Sequence, residues 1–215
     1  MPRPTASSYL PKPLDKDGFN PNCTIPYGCN IHTIQSVMTE FLEFLTFINT
    51  QLDRKKLPSL ESMLMPANFS SVVGEFMAVG IPKYCPTIVK NQYHNGHPDL
   101  IPIGKFPNNA HRHCTEGIEI KGSRYLRRWQ GHNPESCWLM VFAFNSSRPI
   151  DVVKGVAPFG LEFLMVVGAQ LEKDDWSFSG RSGTSRRTIT ASVTESGYKK
   201  MMKNWVYKCR RLRNI

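Results

Sequence analysis

The sequence predicts an α/β (α+β) fold, a mixed central β-sheet flanked by helices, and three observations predict it. First, Ile34, Val37, Met38, Phe41, Leu42, Leu45, Ile48 and Leu52 recur at spacings of three and four, the apolar stripe of an amphipathic helix. Second, strand-length apolar runs occur later in the chain: GIEIK at 117–121, CWLMVFAF at 137–144 and PFGLEFLMVVGAQL at 158–171. Third, no internal repeat and no linker divides the 215 residues, which suits one domain with an ordinary core.

Residues 1–30 are rich in Pro, Asn and Gly without periodicity and read as an irregular N-terminal arm, followed by one domain over 31–215. Cys23 and Cys29 within the arm have no second pair to complete a metal knuckle. The first helix starts at Ile31 and ends near Arg54-Lys55-Lys56, where basic charge complements the helix dipole and Pro58 stops the helix. A second helix is predicted over Asn68–Val79, capped by Asn68 or Ser70, with Glu75 set among its apolar positions. Ile88–Gln92 and Asp99–Ile103 read as short strands bounded by Gly and Pro. In Gly117–Lys121, Ile118 and Ile120 point to one face while Glu119 and Lys121 point to the other. A basic, aromatic connection follows, then the two apolar strands. Residues 176–215 read as a polar, arginine-rich loop and a C-terminal helix, with Tyr198, Met201, Met202, Trp205 and Cys209 along one side.

Net charge is +10 with a pI near 9.4, which favours a polyanionic partner. The segment Arg181–Ile215 carries ten Lys or Arg against one acid, Glu195, and so holds nine of those ten charges. The N-terminus lacks the apolar core of a secretory signal, and the longest apolar run, Cys137–Phe144, is too short to span a bilayer. A soluble, cytoplasmic protein with six reduced cysteines is expected. Neither a Gly-x-Ser-x-Gly elbow nor a phosphate-binding loop is present.

The chemistry concentrates between His97 and Ser123. Asp99 opens one strand, Glu119 lies in another with nineteen residues between them, and Lys121 shares the Glu119 face. On adjacent strands these residues surround one point. A phosphodiester resists hydrolysis because its oxygens repel the nucleophile; a divalent cation offsets that charge and acidifies a water. Magnesium takes oxygen ligands and keeps several waters, so Asp99, Glu119 and the backbone carbonyl of Ile120 suffice as protein ligands. Lys121 is placed to orient the nucleophile and stabilise charge at phosphorus.

Pro98-Asp99 followed by Glu119-Ile120-Lys121 resembles the signature of the PD-(D/E)XK nuclease superfamily, which includes most type II restriction endonucleases. The order of elements resembles that fold too: a helix carrying Glu75, strands carrying Asp99 and then Glu119 with Lys121, and a later hydrophobic strand. The resemblance covers residues 68 to about 144. It implies a restriction-endonuclease-like sheet with Asp99 and Glu119 as metal ligands, Lys121 as the catalytic lysine and Glu75 as an auxiliary acid. It further implies Mg2+ as cofactor, with Mn2+ as a substitute, and double-stranded DNA cut by a homodimer. One departure is that no long helix is predicted between the Glu119 strand and the Trp138 strand, because Gly131 and Pro134 interrupt that segment.

Arg124, Arg127 and Arg128 follow the candidate catalytic strand and are expected to meet phosphates. Arg181, Arg186 and Arg187, in a Gly- and Ser-rich loop, are candidates for guanine edges in the major groove. Two other readings share these residues: a structure-selective or DNA-repair nuclease, and a non-catalytic DNA-binding module with a nuclease-like fold. His94, His97, His111, His113 and Cys114 crowd the same stretch without zinc-finger spacing. Five such donors within twenty-one residues could bind zinc, but Asp and Glu beside Lys suit magnesium better. They read first as phosphate contacts, as groups bonded behind the metal ligands, or as plain surface histidines.

Overall fold

The computed structural model describes residues 10–131, 133–178 and 191–213. The first helix, α1 (Ile31–Arg54), starts where Asn30 Oδ1 accepts the Thr33 N–H at 3.0 Å, satisfying one of the free donors of the first turn. Its apolar stripe is core: Ile34, Val37, Met38, Phe41 and Leu45 have no solvent exposure, while Ile48 and Leu52 are half-buried. After the single turn α2 (Leu60–Met63) comes α3 (Pro66–Tyr84), longer at both ends than the predicted Asn68–Val79. Neither Asn68 nor Ser70 caps it. Pro66 occupies the first turn, where its missing N–H would have had no partner anyway.

The central sheet has six strands in the order β1 (Ile88–Lys90), β2 (Leu100–Pro102), β3 (Ile118–Ser123), β5 (Cys137–Asn145), β6 (Glu162–Leu171), β9 (Trp205–Lys208). Every neighbouring pair is antiparallel except β3 and β5, which run parallel. The fold is therefore mixed α/β around a mixed sheet, with five helices among the described residues: the three already named, α4 (Pro149–Val153) and α5 (Glu195–Lys203). A parallel pair requires a crossover. Here the crossover between β3 and β5 holds only the two-residue β4 (Gln130–Gly131), and no helix is found in it among the described residues. Strand β4 belongs to a second sheet, order β4-β8-β7, with β7 (Trp176–Phe178) and β8 (Ala191–Val193).

Alternation along β5 divides the core in two. Met140, Phe142 and Phe144 pack with α1 and α3; Leu139, Val141 and Ala143 pack with Trp129, Trp176 and Met201 on the opposite face.

The C-terminal helix is shorter than its periodicity predicts. Helix α5 stops at Lys203, and the next residues form β9, pairing with β6. Asn204 leaves the helix and donates its side-chain N–H groups to Thr24 O at 2.8 Å and Gly168 O at 2.7 Å. The free edge of β6 and burial of Val206 and Tyr207 together outweigh helix propensity. Residues 10–30 hold no regular element apart from a 3-10 turn at Lys16–Gly18, yet they lie firmly on the domain. Lys12 N–H bonds to Leu161 O at 2.7 Å and Asn20 N–H to Val206 O at 3.0 Å, while Ile25 and Cys29 are buried. All six cysteines are free. Among the described residues no helix is long and apolar enough to cross a membrane.

Helix α3 crosses β3 almost backbone to backbone. A Cβ on Gly122 would stand 2.3 Å from Ser70 O, and one on Gly74 would stand 3.4 Å from Gly122 N. Gly122→Ala should therefore lower the urea midpoint, costing about 1–3 kcal/mol by overpacking, with the m-value unchanged.

Candidate functional site

Asp99 immediately precedes β2, and β2 joins β3 through the Leu100–Ile118 pairing. On β3, Ile118 and Ile120 are buried whereas Glu119 and Lys121 are half-buried on the opposite face, as the alternation predicts. Glu75, Asp99, Glu119, Ile120, Lys121, Arg124, Arg127 and Arg128 all line one cleft of about 920 Å³, with Pro66, Ser70 and Gly74 of α3 along one wall. The glycine contact between α3 and β3 lets that wall come so close.

Asp99 Oδ2 accepts the Ile120 N–H at 2.8 Å, so one peptide links the Asp99 carboxylate to the residue after Glu119. Burial, then the charge of Glu119, pushes the Asp99 carboxyl up to about 7. Burial alone would raise Glu119 as well. The His97 hydrogen bond, followed by the charges of His97 and Lys121, outweighs it and holds Glu119 below the usual carboxylate range. The acidic pair is thus short of positive charge, and its two carboxylates with the nearby Ile120 carbonyl suit a hard divalent cation. The Ile120 carbonyl lies on the α3 side, 3.9 Å from where a Gly74 Cβ would be.

Two further residues contribute here: His97, which the sequence offered among other readings as a group bonded behind the metal ligands, and Glu135, to which it assigned no role. His97 Nδ1 lies 3.0 Å from Glu119 Oε2, and His97 Nε2 lies 3.2 Å from Glu135 Oε2. Burial would lower the His97 pKa, but the Glu119 hydrogen bond and the charges of Glu119, Glu135 and Asp99 raise it. Asn91 holds this loop in place. Its buried amide donates to Pro98 O and His111 O and accepts from the N–H groups of Tyr93 and His111, while Asn91 N–H bonds to Asp99 O at 2.8 Å. His97, two residues before Asp99, was legible as a neighbour. Glu135 was not, because only the parallel β3–β5 register brings the start of β5 beside the start of β3.

The remaining candidates divide. Glu75 sits exposed on the rim, paired with Lys90 at 2.6 Å. Arg124 turns inward: it donates to Ser146 O at 2.8 Å and Ser147 O at 3.3 Å and lies over the rings of Phe69 and Phe144. Burial, then the charge of Arg148, brings its pKa down to about 10. Arg127 and Arg128 are exposed, Arg127 stacking 4.7 Å over Tyr198. Both also line a second cleft of about 510 Å³ with Ser177, Ser192 and Thr194. Arg181, Arg186 and Arg187 lie outside the described residues, between β7 and β8. No protein-family profile, curated protein or solved structure matches this chain.

The raised Asp99 pKa has a definite sign. The folded state holds a proton that the unfolded chain, with an ordinary value of 3.8, gives up, so stability falls as pH rises between about 4 and 7. In EDTA, Asp99→Asn should therefore be more stable than the parent at pH 8 by about 2–4 kcal/mol, and no more stable at pH 4. Millimolar Mg2+ at pH 8 should raise the melting temperature of the parent and not that of the variant.

Proposed function

We propose that this chain is a Mg2+-dependent DNA endonuclease of restriction-endonuclease-like fold, acting as a homodimer on both strands of a specific double-stranded site. The observation that carries the reading is the joining of Asp99 and Glu119 through the Ile120 peptide, with Lys121 on the same strand face, in a cleft rimmed by Arg127 and Arg128. The order of elements supports it as well: a helix with Glu75, then the antiparallel pair β2, directly preceded by Asp99, and β3, carrying Glu119 and Lys121, with the apolar β5 beside them.

Asp99, Glu119 and the Ile120 carbonyl would hold Mg2+, with Mn2+ as a substitute. Bound there, the ion would offset phosphate charge and acidify a water. His97 fixes one Glu119 oxygen by hydrogen bonding, which keeps that carboxylate in a single orientation. Lys121 presents its ammonium group to the attacking water and to the charge that builds on phosphorus. Arg127 and Arg128 take the flanking phosphates, and Glu75 on the rim is an auxiliary acid. Arg124, bonded inside the protein, braces the floor of the cleft behind them. Arg181, Arg186 and Arg187 are assigned to reading bases; they lie outside the described residues, and Ser177 and Ser192, which flank that segment in sequence, line the second cleft.

Plasmid and phage DNA incubated with the protein and Mg2+ should give discrete fragments. A smear would indicate a structure-selective or repair enzyme, and binding without cutting would indicate a module. Asp99→Ala and Lys121→Ala should each reduce cleavage by ~100-fold or more; parental rates in either would show that the site is elsewhere. Arg127→Ala and Arg128→Ala should weaken binding similarly for all sequences, each lowering the slope of log K against log salt by about 1.

A further inference from the structure

A titratable cluster on the far side of His97 touches the acidic pair only through the His97–Glu119 contact, and none of its residues lines the cleft. His97, His113 and Glu135 each present a ligand atom, and these atoms lie within 4.8 Å of one another. The backbone puts them there. His97 and His113 form a parallel bridge, with His97 N–H bonded to Arg112 O at 3.1 Å and Cys114 N–H to His97 O at 2.9 Å. Their rings stack with centroids 5.2 Å apart. Glu135 is fixed by Trp176, whose Nε1–H donates to Glu135 O at 3.0 Å.

The two nitrogens of His97 are used differently. Nδ1 is within hydrogen-bonding distance of Glu119 Oε2, which accounts for a proton on that nitrogen. Nε2 is buried and makes no hydrogen bond, although Glu135 Oε2 is only 3.2 Å away. A buried imidazole nitrogen close to a carboxylate, without bonding geometry, and with its other nitrogen anchored by a second carboxylate, is how a metal-ligating histidine is oriented.

We propose that His97, His113 and Glu135 form a Zn2+ site behind the acidic cleft, with Glu119 orienting His97 from the other side. Two imidazoles and one carboxylate are the donor set of a borderline transition metal and not of Mg2+. Ligands at ~2.0–2.1 Å in a tetrahedron are ~3.4 Å apart. The exposed His113 side chain can turn to close the difference, leaving the fourth position to water. Such an ion would pin the β3–β5 crossover, which lacks a helix among the described residues, to the loop that delivers Asp99.

The full chain, stripped with EDTA and moved to chelator-free buffer with millimolar Mg2+, is titrated calorimetrically with ZnCl2. One equivalent should bind in the parent. His113→Ala and Glu135→Gln should each weaken it by ~100-fold or more, while Asp99→Asn and His94→Ala should leave it within about three-fold. His113 is exposed and Gln matches Glu in shape, so both variants should unfold cooperatively in EDTA, with the Glu135→Gln melt lowered only where His97 is protonated. No binding tighter than about 100 μM in the parent would overturn the proposal and leave His97 as a protonated link between two glutamates. Binding that survives both variants, or that is lost in Asp99→Asn, would overturn it too. Neither result bears on cleavage, which is read on DNA.

Discussion

Two carboxylates that share a poorly hydrated spot are the constraint on which the rest of this structure turns. Asp99 and Glu119 would repel each other if both were ionised, and the fold answers with three counterweights. The Ile120 N–H bonds Asp99, His97 bonds Glu119, and Lys121 adds its charge from the same strand. Even so, the Asp99 carboxyl rises to about 7. A fold selected only for stability would replace such a pair with apolar groups; keeping it makes sense where charge is needed for binding a cation or a phosphate.

Holding the pair requires close backbone approaches. Gly117 brings β3 so near β2 that a Cβ there would stand 2.0 Å from Leu100 O, and its positive φ of 141° suits glycine. Gly74 and Gly122 let α3 settle on β3 and form the cleft wall. Tyr27 of the N-terminal arm accepts the Gly117 N–H at 2.8 Å, so the arm helps fix the start of the strand that carries Glu119. The buried Asn91 amide performs the same service for the loop that carries His97 and Asp99.

Cationic residues adjacent in sequence have divergent roles. Arg124 is drawn inward by two carbonyls and two aromatic faces, near the buried Glu61, whose pKa burial raises. Arg127 and Arg128 remain in solvent and join the first cleft to the second. A basic stretch therefore marks a surface only in part, because a guanidinium also serves to satisfy carbonyls at the end of a buried strand.

The sequence by itself determined the parts whose signal is local. The stripe of α1, the buried run of β5 and the alternation that sets Glu119 and Lys121 on one face all follow from periods of 3.6 and 2. Asp99, twenty residues before Glu119, was legible as its partner because short strands bounded by Gly and Pro fold back on each other. Tertiary structure decided what no local period encodes. Trp205–Lys208 fits a helix stripe, yet the open edge of β6 takes it as a strand. Glu135 gains its place at His97 only through the parallel register of β3 and β5, and Arg124 turns inward because carbonyls and rings await it there. Local periodicity fixes which face a residue occupies; which groups meet on that face depends on strand pairing between distant segments, which no single stretch of sequence specifies.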